Sequence, residues 1–348
     1  MAGAPSTLSL TSRLALAGAA AATMVYAVRQ RRRMDFAAKV VVITGASRGL
    51  GLELARRFAE EQAHLVLLAR QQEQLGEAAR ELESIGAQVT VLQCDVTKAD
   101  GVRAGIASIL NELGRIDVLV NNAGMIQVGP VEHMTPDDFA KALAVHFWAP
   151  LSLMLEVIPH MKHQGHGRIV NITSIGAKVA LPHLLPYTAS KFALAGLSEG
   201  MRTELAKDKI YVTTVSPGLM RTGSHVNALF KGQQRKEFAL FSAANAWLST
   251  SSVRAARQIV EACRYGTSEL VITPQAKLLR LVKGVFPKLV AETLGLLCRA
   301  LPGPAGDEGD RLKRGWESQS AIAPSVLTRS AGRAVSDNNE VQQPPLPN

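Results

Sequence analysis

Tyr187 and Lys191 stand four positions apart in Tyr187-Thr188-Ala189-Ser190-Lys191, and Ser174 lies thirteen residues before the tyrosine in Asn171-Ile172-Thr173-Ser174. On a helix, a spacing of four puts the phenol and the ammonium on one face. A cation beside a phenol favours the phenolate, which predicts a Tyr187 pKa lowered toward working pH and suited to general acid–base chemistry. A serine hydroxyl at the end of a neighbouring strand can hold a substrate oxygen. Alone, Tyr-x-x-x-Lys recurs by chance on many helices, so its meaning depends on the elements that position it.

Those elements alternate. Lys39–Thr44 is a continuous apolar run of the kind that fills the buried centre of a parallel sheet. Helical patterns follow at Leu50–Glu61, Gln71–Ile85 and Lys98–Leu113, with strands at His64–Ala69, Gln88–Cys94 and Ile116–Asn121 between them. A helix is expected from Pro136, capped by Thr135, to before Gly165. Gly167–Thr173, Tyr187–Ala206, Lys209–Val215, Val253–Arg264 and Glu269–Thr273 continue strand, helix, strand, helix, strand. This order predicts an α/β fold, a doubly wound parallel sheet of the Rossmann type in one catalytic domain.

Thr44-Gly45-Ala46-Ser47-Arg48-Gly49-Leu50-Gly51 joins the first strand to the first helix. Glycines there permit a tight turn and bring backbone N–H groups against a pyrophosphate at a helix N-terminus. The second strand ends Leu67-Leu68-Ala69-Arg70, without the carboxylate that usually meets the ribose of NAD. Arg48 and Arg70 instead suit a 2′-phosphate, so NADP(H) is expected before NAD(H).

Together these residues resemble the compact short-chain dehydrogenases/reductases, over roughly Lys39 to Thr273. Thr44–Gly51 matches the family's Thr-Gly-x-x-x-Gly-x-Gly loop, and Asp95, followed by Val96, matches the acid that touches the adenine ring. Asn121-Asn122-Ala123-Gly124 matches the motif that passes close to the cofactor. Ser174, Tyr187 and Lys191 match the catalytic serine, tyrosine and lysine, and Pro217-Gly218 with Thr222 match the segment that holds the nicotinamide carboxamide. The resemblance implies hydride transfer between NADP(H) and a carbonyl or alcohol, with Tyr187 as acid, Lys191 holding the nicotinamide ribose and Ser174 positioning the carbonyl. The cofactor contacts it implies fall on Gly45, Ser47, Arg48, Gly49, Leu50, Gly51, Arg70, Asp95, Val96, Asn122, Ala123, Gly124, Tyr187, Lys191, Pro217, Gly218 and Thr222. It also implies a homodimer or homotetramer paired through the helices Pro136–Lys162 and Tyr187–Ala206.

One position departs. His146 stands where the family often has an asparagine that orients a water in a proton relay behind the lysine. An imidazole can carry such a relay, fill a packing position, or displace the water and impair turnover. The last reading leaves a second function class open, a catalytically impaired nucleotide-binding regulatory or scaffold protein. A nucleotide-sugar epimerase or dehydratase shares Tyr-x-x-x-Lys but would need a different glycine spacing and a larger C-terminal domain.

The remaining chain speaks of location. The 348 residues carry a net charge of +10, with 47% hydrophobic and 20% charged residues. Residues 1–36 hold an apolar run, Leu14 to Val28, followed by Arg29, Arg31, Arg32 and Arg33. A secretory signal carries its charge before the run, whereas here the arginines follow it. The fifteen residues of the run span only about 22 Å as a helix, short of a hydrocarbon core of about 30 Å, so an N-terminal anchor, an interfacial helix, a targeting segment and a disordered tail all fit. An anchor would place the catalytic domain, residues 37–275, on the cytoplasmic side. Residues 276–303 are apolar with Lys277, Arg280, Lys283 and Lys288 interspersed and a break at Pro287; they can pack on the core, but their length beyond the last strand favours a membrane-facing amphipathic extension. Residues 304–348, rich in Ser, Asn, Gln and Pro, are expected to be a disordered tail. Both basic clusters adjoin apolar runs, which favours a membrane surface as partner and not nucleic acid. Cys94, Cys263 and Cys298 lack metal-ligand spacing, so no metal site is expected. Leu181–Pro186 and Leu219–Leu248 should frame the substrate, with Leu229, Phe230, Phe238, Leu240, Phe241 and Trp247 among the lid residues and Lys231, Arg235 and Lys236 between them. Those apolar residues either cover the helix core or line a pocket for a lipophilic substrate of fatty, steroid, retinoid or sphingoid type.

Overall fold

The structure is a computed structural model that describes residues 10–247, 249–318, 334–335 and 337–340. In chain order the helices and strands are α1 (Leu10–Arg31), β1 (Val40–Thr44), α2 (Gly49–Glu60), β2 (His64–Ala69), α3 (Gln72–Ser84), β3 (Gln88–Gln93), α4 (Ala99–Leu113), β4 (Val118–Asn121), β5 (Gln127–Val128), α5 (Pro136–Leu143), α6 (Ala149–Gln164), β6 (Gly167–Ile172), α7 (Leu185–Leu205), β7 (Ile210–Pro217), β8 (Met220–Arg221), β9 (Leu229–Phe230), α8 (Gln234–Trp247), β10 (Thr250–Ser251), α9 (Ser252–Arg264), β11 (Glu269–Ile272), α10 (Pro274–Val285), α11 (Pro287–Cys298) and β12 (Lys313–Arg314). The strands of the main sheet and the helices between them fall within a few residues of their expected places, whereas α8, inside the segment expected to frame the substrate, was not anticipated as a helix. The two-residue strands were not anticipated.

Seven parallel strands form the main sheet in the order β11-β7-β6-β4-β1-β2-β3. The chain winds outward from β1 to β3, then returns to place β4 on the other side of β1. A crevice for ligands opens beyond the carboxyl ends of strands at such a reversal. Both faces of the sheet are covered, which explains the near-continuous apolar strands. Val41 and Ile43 join one core with Leu52, Leu54, Leu75 and Ile259, while Val40 and Val42 join another with Ile106, Leu153, Met161 and Leu205. Alternate residues of one strand therefore anchor both layers.

Buried polar groups tie the strands together at fixed heights. Asn121 donates from Nδ2 to Asn171 Oδ1 at 2.8 Å, Asn171 Nδ2 donates to Ser198 Oγ at 3.0 Å, and Thr214 Oγ1 donates to Ser198 Oγ at 2.7 Å. This ladder links β4, β6, β7 and α7, the helix that carries Tyr187 and Lys191.

Thr135 caps α5 by a reciprocal box with Asp138, as its sequence suggests. Between α5 and α6 the chain makes one wide π turn over Ala144–Trp148, so His146 sits in a local expansion of the helix. Pro136–Gln164 is long and apolar enough to cross a membrane by length and composition, with a mean hydropathy of 1.5 in its most apolar window. Its Leu153, Met154, Val157 and Met161 are packed in the protein core, as in a core helix.

The ends of the chain differ from expectation. Lys313–Arg314 pairs with β9, and Gly232 donates its N–H to the Gly309 carbonyl at 2.8 Å, so residues 307–318 fold onto the lid region where a disordered tail was expected. Residues 334–340, where described, also pack against the protein. The rest of the expected tail lies outside the described residues.

Candidate active site

Thr44 ends β1 and organises the crevice. Its Oγ1 accepts the N–H groups of Asn122 and Ala123, both at 3.0 Å, and donates to the Val120 carbonyl at 3.3 Å. Asn122 returns Nδ2 to the Thr44 and Gly45 carbonyls at 3.0 and 3.2 Å. The glycine loop and the Asn121–Gly124 turn are thus one hydrogen-bonded unit across the β1/β4 reversal. Gly51 is obligatory here, because a Cβ would stand 2.1 Å from the Gly45 carbonyl oxygen. Gly45 turns with φ 63°, the left-handed region.

Arg48 Nη1 is buried and, among the described residues, has no hydrogen-bond partner. A buried guanidinium nitrogen beside a glycine loop calls for an anion. The loop therefore fits the phosphates of a dinucleotide. Asp95 follows β3, and both the N–H and the hydroxyl of Thr97 donate to its Oδ1, at 3.0 and 2.8 Å. Burial alone would raise its pKa, yet these bonds and the charge of Arg70 hold the carboxyl below its ordinary value. Arg70 is exposed at the end of β2, and Val96 is buried. Pro217 closes β7, Gly218 packs against Thr273, and Thr222 is buried with its hydroxyl donated to Ser224 Oγ at 2.9 Å.

Tyr187 lies in the first turn of α7, beside Ser174 after β6. Ser174 Oγ accepts the Gly176 N–H at 3.0 Å and hydrogen-bonds the phenol. Lys191 is buried one turn further on, and its Nζ donates to the Ile172 carbonyl at 2.8 Å. Its ammonium is 5.8 Å from the Tyr187 ring centroid. Here the sequence expectation requires correction. Burial pushes the Tyr187 phenol above its ordinary pKa, with Ser174 pulling it back only in part. Burial also lowers Lys191 to about 7, so in this state the lysine does not supply a full charge to the phenol.

His146 is fully enclosed. The Met125 N–H donates to its Nε2 at 3.1 Å, so that nitrogen is unprotonated and the neutral ring carries its proton on Nδ1. Nδ1 then donates to Ser190 Oγ at 2.7 Å, and Ser190 donates to the Tyr187 carbonyl at 2.8 Å. Burial, then the charge of Lys191, hold the imidazole well below its ordinary pKa. The ring also meets Tyr187 edge-on, with centroids 5.4 Å apart. Both nitrogens are committed inside the protein, which favours the packing role over the relay.

The two segments expected to frame the substrate do meet. Leu184 packs with Ile126 and Phe241 against Val128, Phe230 and Phe238. Phe230 and Phe238 are core residues of this lid, in edge-to-face contact at 5.6 Å, and the side chain of Trp247 lies outside the described residues. Lys231 is not a solvated lid charge. It is buried and donates to Asp138 Oδ2 at 2.7 Å, which fastens the lid to α5 and drives the Asp138 carboxyl down to about 2 despite its burial. His183 similarly meets Glu237 of α8 at 2.7 Å.

One functional contact had no signal in the sequence. Glu340 inserts at the glycine loop, with Oε2 3.4 Å from Arg48 Nε and accepting from Asn227 Nδ2 at 2.6 Å. Gly49 donates its N–H to the Asn338 carbonyl at 2.8 Å, and Gly223 lies against Ala334 and Val335. The segment therefore crosses from the glycine loop to the residues after Thr222. Burial raises the Glu340 carboxyl above its ordinary pKa, and Arg48 and Asn227 oppose that shift.

Comparison with known proteins agrees with this geometry. The family model for the short chain dehydrogenases matches residues 39–231. A putative oxidoreductase, SadH, from Mycobacterium tuberculosis is 32% identical over 74% of this chain and 95% of its own length. The dehydrogenase/reductase SDR family protein 7-like from Anopheles gambiae is 35% identical over 60% of this chain and 66% of its own. Among solved structures, L-sorbose reductase from Gluconobacter frateurii with NADPH and L-sorbose has a TM-score of 0.62 and 31% identity, covering 69% of this chain and 97% of that one. NAD+-bound xylitol dehydrogenase has a TM-score of 0.61 and 26% identity, covering 69% and 99%. Sheet order, the β1/β4 crevice and these matches agree: the chain belongs to the short-chain dehydrogenase/reductase family, oxidoreductases that act on alcohol and carbonyl groups.

Proposed function

We propose that the protein transfers hydride between NADP(H) and a lipophilic carbonyl or alcohol while attached to a membrane. The observation that carries the chemistry is the meeting of Ser174, Tyr187 and Lys191 at the carboxyl end of the sheet, the end that also carries the glycine loop. The nicotinamide supplies or accepts the hydride when bound. Ser174 holds the substrate oxygen, and Tyr187 gives it a proton in reduction or takes one in oxidation. A phenol of raised pKa remains protonated at neutral pH, which suits the reductive direction. Lys191 would hold the nicotinamide ribose of a bound dinucleotide, its Nζ donating to the ribose hydroxyls. His146, through Ser190, braces the first turn of α7 and so the height of Tyr187.

Cofactor choice is supported by Arg48 and Arg70 and by the absence of a carboxylate at the end of β2. The neighbours divide, with NADPH in the sorbose reductase and NAD+ in the xylitol dehydrogenase. The lipophilic substrate is supported by Ile126, Leu184 and Phe241, half-buried apolar side chains between the lid and the segment before Tyr187.

Membrane attachment rests on other residues. α1 is a helix of 22 residues, about 33 Å long, but its uninterrupted apolar run, Leu14 to Val28, covers only about 22 Å. It therefore spans a hydrocarbon core only if Arg13 and Arg29 reach the interfaces, and otherwise lies on the surface. Met24, Val25 and Tyr26 are exposed on it, and Leu278, Leu281, Val285, Phe286, Leu289, Leu296 and Leu297 are exposed on the α10–α11 pair. On the α1 reading the catalytic domain faces the cytoplasm. Exposed Trp148 and Leu155 near and on α6, with Leu185 and Phe192 on α7, support pairing of subunits through these helices. The alternative, a nucleotide-binding regulatory protein without turnover, draws its support from Glu340 at the glycine loop.

The test follows NADPH and NADH oxidation by detergent-solubilised protein over ketones graded in chain length and ring content. Turnover that rises with lipophilicity and prefers NADPH supports the reading. Turnover confined to small polar carbonyls overturns the substrate class, and equal rates with NADH overturn the cofactor choice. Dinucleotide binding without reduction or oxidation, even after Glu340→Ala, moves the regulatory reading ahead.

A further inference from the structure

The amino ends of the strands, opposite the active site, carry a second concave site. A cavity of about 350 Å³ is lined by Arg31, Arg32, Arg33, Lys39, Arg168 and Lys209, with Tyr211 at its wall and Asp35 as the one lining carboxylate. Lys39 precedes β1, Arg168 is the second residue of β6, and Lys209 precedes β7. The three consecutive arginines arrive from the end of α1. Sequence alone groups Arg31 to Arg33 as a basic run; only the fold adds the cations of the sheet.

These charges are poorly balanced. Arg32, Arg168 and Arg202 surround the Tyr211 ring at 4.7, 4.9 and 5.1 Å from its centroid. Among the described residues no carboxylate pairs with any of the three. Arg168 donates only to backbone carbonyls, of Gly167, Cys263 and Arg32, and Arg202 donates to that of Val212. Burial, and then the neighbouring charge of Arg32, brings Arg202 down to about 10. Asp117 lies behind the wall but is already engaged by Arg115 at 2.6 Å, His166 at 3.0 Å and Lys39 at 3.8 Å. Arg31, Arg33 and Lys209, at the rim, form no ion pair among the described residues and are exposed. A concavity in which six cations face the single carboxylate of Asp35 concentrates anions, and guanidinium forks match tetrahedral phosphate oxygens.

The position of the cavity names its source of anion. α1 ends at Arg31, so its apolar length leads directly to the rim. α10 points toward the same end of the sheet, since Arg280 pairs with Glu269, the first residue of β11, and the exposed Val285 and Phe286 lie further on. We propose that this cavity binds the phosphate monoester of an anionic lipid headgroup, at the plane where α1 leaves the bilayer. The lipid source rests on the membrane attachment proposed above, whereas the phosphate chemistry does not. It also orients the domain, with the amino ends of the strands toward the bilayer and the active site on the far rim.

The test uses the full chain saturated with NADP+, so that the glycine loop cannot compete for phosphate. Its partner is the variant Arg31→Gln/Arg33→Gln/Lys209→Gln, whose exposed positions leave the core and the Tyr211 cluster untouched. Equal circular dichroism and melting of the two in detergent without phosphate confirm the fold. In detergent, inorganic phosphate should raise the melting temperature of the parent saturably, and the variant should need about tenfold more. In phospholipid nanodiscs, phosphatidic acid should stabilise the parent at least about tenfold more effectively than phosphatidylserine or phosphatidylcholine. A response to inorganic phosphate without preference for phosphatidic acid assigns the cavity to a soluble phosphate and overturns the lipid source. No response to either probe, or equal responses of parent and variant, overturns the site itself. Failure of the parent to enter nanodiscs refutes membrane attachment, and the detergent arm still decides the phosphate chemistry.

Discussion

Binding of the dinucleotide should draw nearly one proton onto Lys191 at pH 8. The lysine is buried, its Nζ donates to the Ile172 carbonyl, and burial lowers its pKa to about 7. At pH 8 only about a tenth of the molecules then carry that proton. A bound dinucleotide brings a diphosphate and ribose hydroxyl acceptors, which favour the ammonium and should return its pKa toward about 10. The expected uptake is about 0.9 proton at pH 8, about 0.5 at pH 7 and about 0.1 at pH 6. By the same linkage, the dissociation constant should rise nearly tenfold, by a factor of about eight, from pH 8 to pH 9. Calorimetric titration with NADP+ in two buffers of different ionisation enthalpy reads the uptake directly. Lys191→Met, shown to be folded by its melting curve, should abolish it. Equal heats in both buffers at pH 8, or the same uptake in the variant, would refute the reasoning and return Lys191 to an ordinary charged lysine.

Other outcomes follow from named contacts. Glu340→Ala should tighten dinucleotide binding by about tenfold, roughly the worth of one charge-assisted contact, because a buried carboxylate no longer has to leave Arg48 and Asn227; unchanged or weaker binding by calorimetry would contradict it. His146→Phe should cost about 2–4 kcal/mol in denaturant melts by leaving the Met125 N–H without an acceptor and Ser190 Oγ without its donor, and a smaller loss would remove the brace from the account. His225 is buried and burial lowers it to about 4. A base with a depressed folded pKa takes up fewer protons than the unfolded chain below about pH 6.5, so stability is whole above that pH and falls as pH drops toward 4. About 3 kcal/mol is at stake, and His225→Phe should flatten the slope of stability against pH between 6.5 and 4.

The sheet and its crevice were legible because they depend on local signals. Apolar runs of strand length, the Gly45–Gly51 spacing and the Thr135 cap each sit within a few residues of one another. Contacts between distant segments were not legible. Lys231 and Asp138 are 93 positions apart, and nothing local distinguishes that buried pair from two solvated charges. Glu340 looks like part of a polar tail until the fold returns it to a loop near residue 49. The Tyr187 expectation failed for a related reason: the four-residue spacing with Lys191 is visible in sequence, but the burial that raises the phenol and leaves the lysine only partly charged near neutral pH is not. His146 was flagged by its departure from a pattern, and its role became readable only when Met125 and Ser190 appeared on its two nitrogens.

The proposed reaction requires Tyr187 to move the proton that accompanies hydride transfer. The most direct measurement is single-turnover oxidation of NADPH against a lipophilic ketone by the parent and by Tyr187→Phe, with dinucleotide binding measured on both. Equal binding is expected, with a loss of at least about a hundredfold in the chemical step, the usual scale of a missing general acid. Near-normal turnover in Tyr187→Phe would contradict it.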